Sequence, residues 1–221
     1  MYEWNFEPVL RYRHLLWDGL LGTLQISATS LAIAAPLGLL FAVMQLSRLR
    51  SLQFIGTAAV YILRSTALLV LLFWFYFAFP AILRTAISPY AAAALALGIQ
   101  SSGYYAELFR GGIVSIAPGQ AEAGKALGLT SGQTMWSIIL PQAVRRMLPV
   151  FLLTTIDLVK ATSLAAMITF EELTYQATHI ASQTYRPMET YAVIAAIYFV
   201  LFSSASGLTA YIERRLAVSD R

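Results

Sequence analysis

Apolar runs of membrane-spanning length govern what this chain can fold into. A helix needs about 20 mostly apolar residues to cross the hydrocarbon core of a bilayer. Five stretches suit that length: residues 20–46, 54–83, 90–108, 147–170 and 191–211. Hydrophobic residues make up 58% of the chain and charged residues 12%, whereas soluble domains carry roughly 25% charged residues. A single core of this size cannot hide so much apolar surface from water. The expected fold class is all-α, a polytopic membrane helical bundle of about five transmembrane helices. The bundle spans residues 19–212, between an N-terminal interfacial segment 1–18 and a tail 213–221. Cysteine is absent, which excludes disulfides and thiolate metal ligands.

Basic residues set the orientation. With the N-terminus outside, the inner loops and tail hold Arg48, Arg50, Arg110, Lys125, Arg145, Arg146, Arg214, Arg215 and Arg221. The outer side then holds Arg11, Arg13, Arg84 and Arg186. The positive-inside bias favours N-out, C-in, with Arg11 and Arg13 opposing it. The opening residues are acidic and aromatic where the leading part of a signal peptide is basic, so no cleavable signal is expected. Tyr2, Trp4, Phe6, Tyr12 and Trp17 suit headgroup depth. The net charge of +4 follows this membrane distribution and points to no nucleic acid.

Residues 110–132 form the one long polar segment. Good helix formers run from Gln120 to Leu127 between Pro118 and Gly128, and glycine suits the left-handed position that ends a helix. This predicts a cytoplasmic helix of roughly two to three turns, too short to stand alone and therefore packed on something. Gly119, Gly124 and Lys125 fit the first seven positions of a phosphate-binding loop. The eighth position needs Ser or Thr to reach Mg²⁺ and is Ala126, and no strand precedes the loop, so nucleotide binding here is rejected.

Glu122-Ala123-Gly124, then Gly128, then Ile139-Leu140-Pro141, resembles the EAA loop of permease subunits in bacterial ATP-binding-cassette importers. Gly124 stands where that pattern has its second alanine. Tyr105-Ala-Glu107-Leu-Phe-Arg110, Leu148-Pro149, Lys160-Ala-Thr162-Ser163 and Glu172-Leu173 resemble the polar amino acid branch, the histidine, glutamine and glutamate–aspartate type. Arg64-Ser65-Thr66-Ala67-Leu68 resembles its Arg-x-Thr-Pro-Leu stretch, with Ala67 replacing proline. The resemblance covers residues 15–215. It implies a type-1 importer permease fold with a coupling loop at 110–141, in which Glu122, Ala123, Gly124, Gly128, Leu140 and Pro141 meet the ATPase. It further implies that this chain is not an enzyme and has no cofactor of its own, ATP and Mg²⁺ residing on a cytoplasmic ATPase dimer. The other implied partners are a second permease subunit, self or homologue, and an extracytoplasmic solute-binding protein. The implied location is the bacterial cytoplasmic (inner) membrane. The implied cargo is a polar amino acid. Relatives often carry polar or acidic residues near the positions of Leu153, Thr154 and Ala161, and their absence here favours glutamate, aspartate or a neutral polar amino acid. A cationic amino acid or an opine is the alternative.

Charged residues inside apolar segments cost at least about 2.5–3.5 kcal/mol each on insertion scales. Arg64 therefore faces either a water-filled path, where Ser65 and Thr66 can help break the helix, or a buried carboxylate or helix-end carbonyls. Asp157 and Lys160 have ion-pair spacing on one helix face. Together with Thr162 and Ser163 these are the candidate pathway residues. An ion-driven secondary transporter using Asp157 or Glu107 is the reading from another class, although five unequal spans do not halve into repeats. No metal site is expected, His14 and His179 being far apart in sequence. The aromatic run from Phe73 to Phe79 is expected to face lipid near the outer surface. Gly19, Gly22, Ser27, Ser203, Ser204, Ser206 and Gly207 suit close helix packing, some of it with a second permease subunit.

Overall fold

The computed structural model describes residues 2–217. Met1 and residues 218–221, with Arg221 of the expected basic tail, lie outside the described residues. A single turn, α1 (Glu7–Leu10), leads into the long α2 (Arg13–Gln45), followed by α3 (Arg50–Ser65) and α4 (Leu68–Phe73). A π-turn at Trp74–Ala78 joins α4 to α5 (Phe79–Leu83), and α6 (Pro89–Val114) follows. Next come α7 (Pro118–Ala126), α8 (Ser131–Thr134) and a second π-turn, Met135–Ile139. The chain ends in α9 (Leu140–Ala161), its 3-10 continuation Thr162–Ile168, α10 (Leu173–Thr184) and α11 (Pro187–Ala217).

Among the described residues, three helices are long and apolar enough to cross a membrane: Arg13–Gln45, the continuous run Ser131–Ile168, and Pro187–Arg215. A fourth exists if Arg50–Ser65 and Leu68–Ile82 are counted as one span, but the two halves are bent by 96°. The single segment expected at 54–83 is thus broken. Thr66 and Ala67 are extended, with ψ of 132° and 128°, and the Thr66 hydroxyl donates to the carbonyl of Ile62 at 2.7 Å. The expected segment at 90–108 is α6. Its 26 residues reach about 39 Å at 1.5 Å per residue, yet its second half carries Gln100, Ser101, Ser102, Glu107 and Arg110. This helix sees protein more than lipid, since Ala92, Ala93, Ala96, Leu97, Tyr105 and Ala106 are wholly buried. Small side chains at these positions let neighbouring helices approach closely.

Three apolar clusters hold the bundle. Ile26, Leu72, Phe75, Leu97 and Ile168 join α2, α4, the first π-turn, α6 and the 3-10 segment. Ala34, Tyr105, Leu108, Met147 and Leu158 join α2, α6 and α9. Val9, Leu16, Leu173, Ile180 and Ile194 join α1, α2, α10 and α11. The aromatic run is therefore divided, which corrects the wholly lipid-facing expectation. Phe75, three residues beyond Leu72, turns inward, while Phe73, Trp74 and Phe77 remain exposed. α10 was not among the five expected segments. It is a mainly polar amphipathic helix that buries Leu173, Ala177 and Ile180, one face at i, i+4 and i+7. The N-terminal residues strap the start of α11: the Glu189 carboxylate accepts from the Tyr2 hydroxyl and from the Asn5 amide, and Arg186 donates to the Glu3 carbonyl at 3.0 Å.

Candidate functional site

A cavity of about 610 Å³ opens where α3, α4, α6 and α9 meet. Its polar lining comes from Arg64, Gln100, Ser101, Tyr104, Glu107, Thr154 and Asp157. Gly103 is what brings Arg64 there: a Cβ at that position would stand 3.0 Å from the Arg64 Cγ, so the missing side chain lets α3 lie against α6. The guanidinium then sits 5.5 Å from the centroid of the Tyr104 ring, in cation–π range. Asp157 faces the same cavity and accepts from Lys160 at 3.1 Å. Lys160 lies outside the lining, with its ammonium 5.6 Å from the Phe202 ring of α11. Glu107 is bound to Arg110 at 2.7 Å.

Of the sequence-predicted pathway residues, the structure brings Arg64 and Asp157 into this cavity. Thr162 and Ser163 instead donate to the carbonyls of Val159 and Lys160, closing the end of α9. Ser65 and Thr66 mark the break after α3. Gln100, Ser101, Tyr104 and Thr154 were not anticipated. Their signal was present for α6, because Gln100, Tyr104 and Glu107 recur at i, i+4 and i+7 on one helix face.

At one end of the bundle, α7 is a rigid projection. The Leu129 amide donates to Gly124 and the Gly128 amide to Lys125, at 3.0 and 2.9 Å. These two bonds make a Schellman stop, with Gly128 at φ +75° supplying the left-handed residue it requires. Thr130 then opens α8 through a capping box with Gln133. Gly124 is buried against Thr134, whereas Glu122, Ala123, Lys125 and Gly128 are exposed. Leu127 and Trp136 are 75% and 73% exposed. Leu140 is half-buried and Pro141 exposed at the first turn of α9. The Gln142 side chain donates to that of Gln120 at 3.2 Å, and Arg146 donates to the Ser115 carbonyl at 2.6 Å, tying the N-terminal side of α7 to α9. No cluster of three or more His, Asp or Glu side chains suited to a metal occurs among the described residues.

Residues 34–218 match the family described as "Binding-protein-dependent transport system inner membrane component". The chain is 35% identical over 224 residues to the glutamate/aspartate import permease protein GltK of Escherichia coli O6:H1, covering 98% of this chain and 100% of the relative. It is 37% identical over 203 residues to the probable glutamine ABC transporter permease protein GlnM of Bacillus subtilis, covering 91% and 93%. Among solved structures, it superposes on a chain from the crystal structure of an amino acid ABC transporter with histidines. The TM-score is 0.91 at 35% identity, with 97% and 100% of the two chains covered. A helical bundle with a polar-lined cavity and a capped, exposed helix thus meets a family match along most of the chain. The chain belongs to the binding-protein-dependent transport system inner membrane components, as a non-catalytic, multi-pass permease of an amino acid ABC importer in the bacterial inner membrane.

Proposed function

We propose that this permease carries glutamate, aspartate or a neutral polar amino acid through the α6–α9 cavity, with Arg64 holding the cargo's carboxylate. One observation carries the reading. Glu107 is paired with Arg110 and Asp157 with Lys160, while Arg64 makes no contact ion pair among the described residues and has Glu107 only within longer electrostatic reach. A guanidinium without a contact ion pair in a membrane protein's interior is costly, and a carboxylate arriving along the path offsets that cost. The similarity to GltK, a glutamate/aspartate import permease, and to GlnM, a probable glutamine ABC transporter permease, points the same way.

Family membership argues against the ion-driven alternative and supports ATP hydrolysis on a separate subunit. In this reading the exposed face of α7, with Glu122 and Ala123 beside Leu127, seats in a cleft of a cytoplasmic ATPase dimer. Closure of that dimer on ATP moves α7 as a lever, because its two ends are fixed to α9 and α8, and the spans rock about the path. A solute-binding protein delivers the cargo from outside, and a second permease chain, self or homologue, completes the path.

The test is uptake by the assembled transporter. Arg64→Ala is expected to lower glutamate uptake roughly ten- to a hundredfold, the range for one lost charge-assisted hydrogen bond. Arg64→Lys should keep part of it, with membrane levels unchanged in both. Unlabelled aspartate and glutamine should compete, and arginine should not. Loss of the Arg64→Ala chain from the membrane, with normal uptake per surviving molecule, would make Arg64 structural and end the proposal.

A further inference from the structure

Two cavities lie end to end along α6. Below the larger one is a second of about 380 Å³, lined by Gly111, Gly112 and Ser115 on the α6 side and by Arg146 and Met147 on α9. Both cavities share three wall residues, Glu107, Leu108 and Val150. We infer that these three form the inner gate of the path, with the Glu107–Arg110 ion pair as its polar latch. The inference rests on the reading of the larger cavity as the path.

The Glu107 carboxylate is held from two helices. Arg110 Nη2 donates to Oε2 at 2.7 Å, and Gln45 Nε2, on the last turn of α2, donates to Oε1 at 3.0 Å. The Gln45 amide is fixed in this sense, because turning it over would aim its oxygen at a carboxylate. Its own Oε1 is buried without a partner. An unmet buried acceptor is expensive, so the closed latch carries a built-in cost and is suited to opening.

The seam between α6 and α9 is pinned by polar bonds on either side of this wall. The Tyr105 hydroxyl, wholly buried with its ring, meets Thr155 Oγ1 at 2.9 Å on the side of the larger cavity. On the α7 side, Arg146 grips the Ser115 carbonyl at 2.6 Å, three residues before α7 begins. Between these pins, Glu107 and Leu108 of α6 and Val150 of α9 line both cavities. Displacing α7 pulls on Ser115 and therefore on the helix that carries the latch. The pairing also suits the proposed cargo. Bound to Arg110, Glu107 presents no net charge to an approaching carboxylate; unpaired, it repels one.

Because the chain has no cysteine, Thr154→Cys in the larger cavity and Ser115→Cys in the smaller each give the permease one reporter thiol. A membrane-impermeant maleimide is applied to the cytoplasmic face of inside-out vesicles containing the whole transporter. The Ser115→Cys thiol should react at the same rate with Glu107 or with Glu107→Gln. The Thr154→Cys thiol should react slowly with Glu107 or Glu107→Asp, and roughly tenfold faster with Glu107→Gln. Val150→Ala opens the wall from α9 without touching a hydrogen bond and should also speed it, which covers the case of a misfolded Glu107→Gln chain. Equal Thr154→Cys rates in all backgrounds overturn the gate, and so does a Ser115→Cys thiol that does not react. Saturating glutamate should slow Thr154→Cys labelling in the Glu107→Gln background. Rates that change without any such protection keep the gate and overturn the path reading instead.

Discussion

Glu172 is a fully buried carboxylate outside the spans and caps the first turn of α10. Its Oε1 accepts from the Tyr175 amide at 2.8 Å and its Oε2 from the Tyr198 hydroxyl at 3.1 Å. Burial pushes this carboxyl above its ordinary range, and the hydrogen bonds from Thr174, Tyr175 and Tyr198 only partly oppose that. A raised carboxyl pKa means that the folded chain binds this proton more tightly than the unfolded one. The associated stability is complete below the unfolded value of 4.5 and is lost as pH rises through the folded value. Near neutral pH, Glu172→Gln should therefore hold or raise the melting temperature of the detergent-solubilised protein and flatten its dependence on pH. The amide keeps the bond from Tyr175 and removes the buried charge. Glu172→Ala loses the cap and should cost about 1 kcal/mol. Equal losses for both variants would show that the charge itself is needed.

At the scale of the element, α7 shows why a family pattern bends where it does. The pattern's second alanine is Gly124 here, and Thr134 occupies the space an alanine methyl would take. A Cβ at Gly124 would lie 2.6 Å from the Thr134 Cγ2 and 2.7 Å from its Oγ1. Gly124→Ala is expected to lift α7 off α8 at a cost of about 1–3 kcal/mol, the usual range for overpacking. Uptake and its coupling to ATP hydrolysis should both fall. Gly124→Ala/Thr134→Ala removes both close atoms and leaves the Thr134 Cβ at 3.2 Å, so most of the uptake should return. Failure of the double variant to recover, with normal membrane levels, would mean that Gly124 serves the partner's surface directly. The stop at Gly128 was legible as Pro118, helix formers and a glycine. The Gly124–Thr134 contact was not, because it joins residues on opposite sides of that turn.

Across the whole molecule, the cavity is open on one side, and charge lies along the opening. Asp157 and Lys160 are 74% and 53% exposed in the single chain, within a segment long and apolar enough to cross the membrane. Such a face cannot be left to lipid without a penalty of several kcal/mol, so water in a path or another protein covers it. Leu153, exposed one turn away on α9, lies on the same helix. A Leu153→Cys chain in the assembled importer is expected to cross-link to the second permease subunit. A lipid-phase label should react with it only after that subunit is removed. Full reaction with the lipid-phase label in the intact importer would put this face against the bilayer.

The apolar runs of spanning length, the scarcity of charge and the spaced motifs by themselves determined an all-helical membrane bundle and its family. Those features are read along the chain, without knowing which helices meet. The tertiary structure alone decided that residues 54–83 break at Thr66, that Phe75 turns inward and that α6 lies at the centre. It also decided which charges meet. Arg64 reaches the cavity through the absent side chain of Gly103, and Glu107, which lines both cavities, is met there by Gln45 from 62 residues away. Pairings across such separations depend on how helices cross, and helix crossing is set by all the packed faces at once.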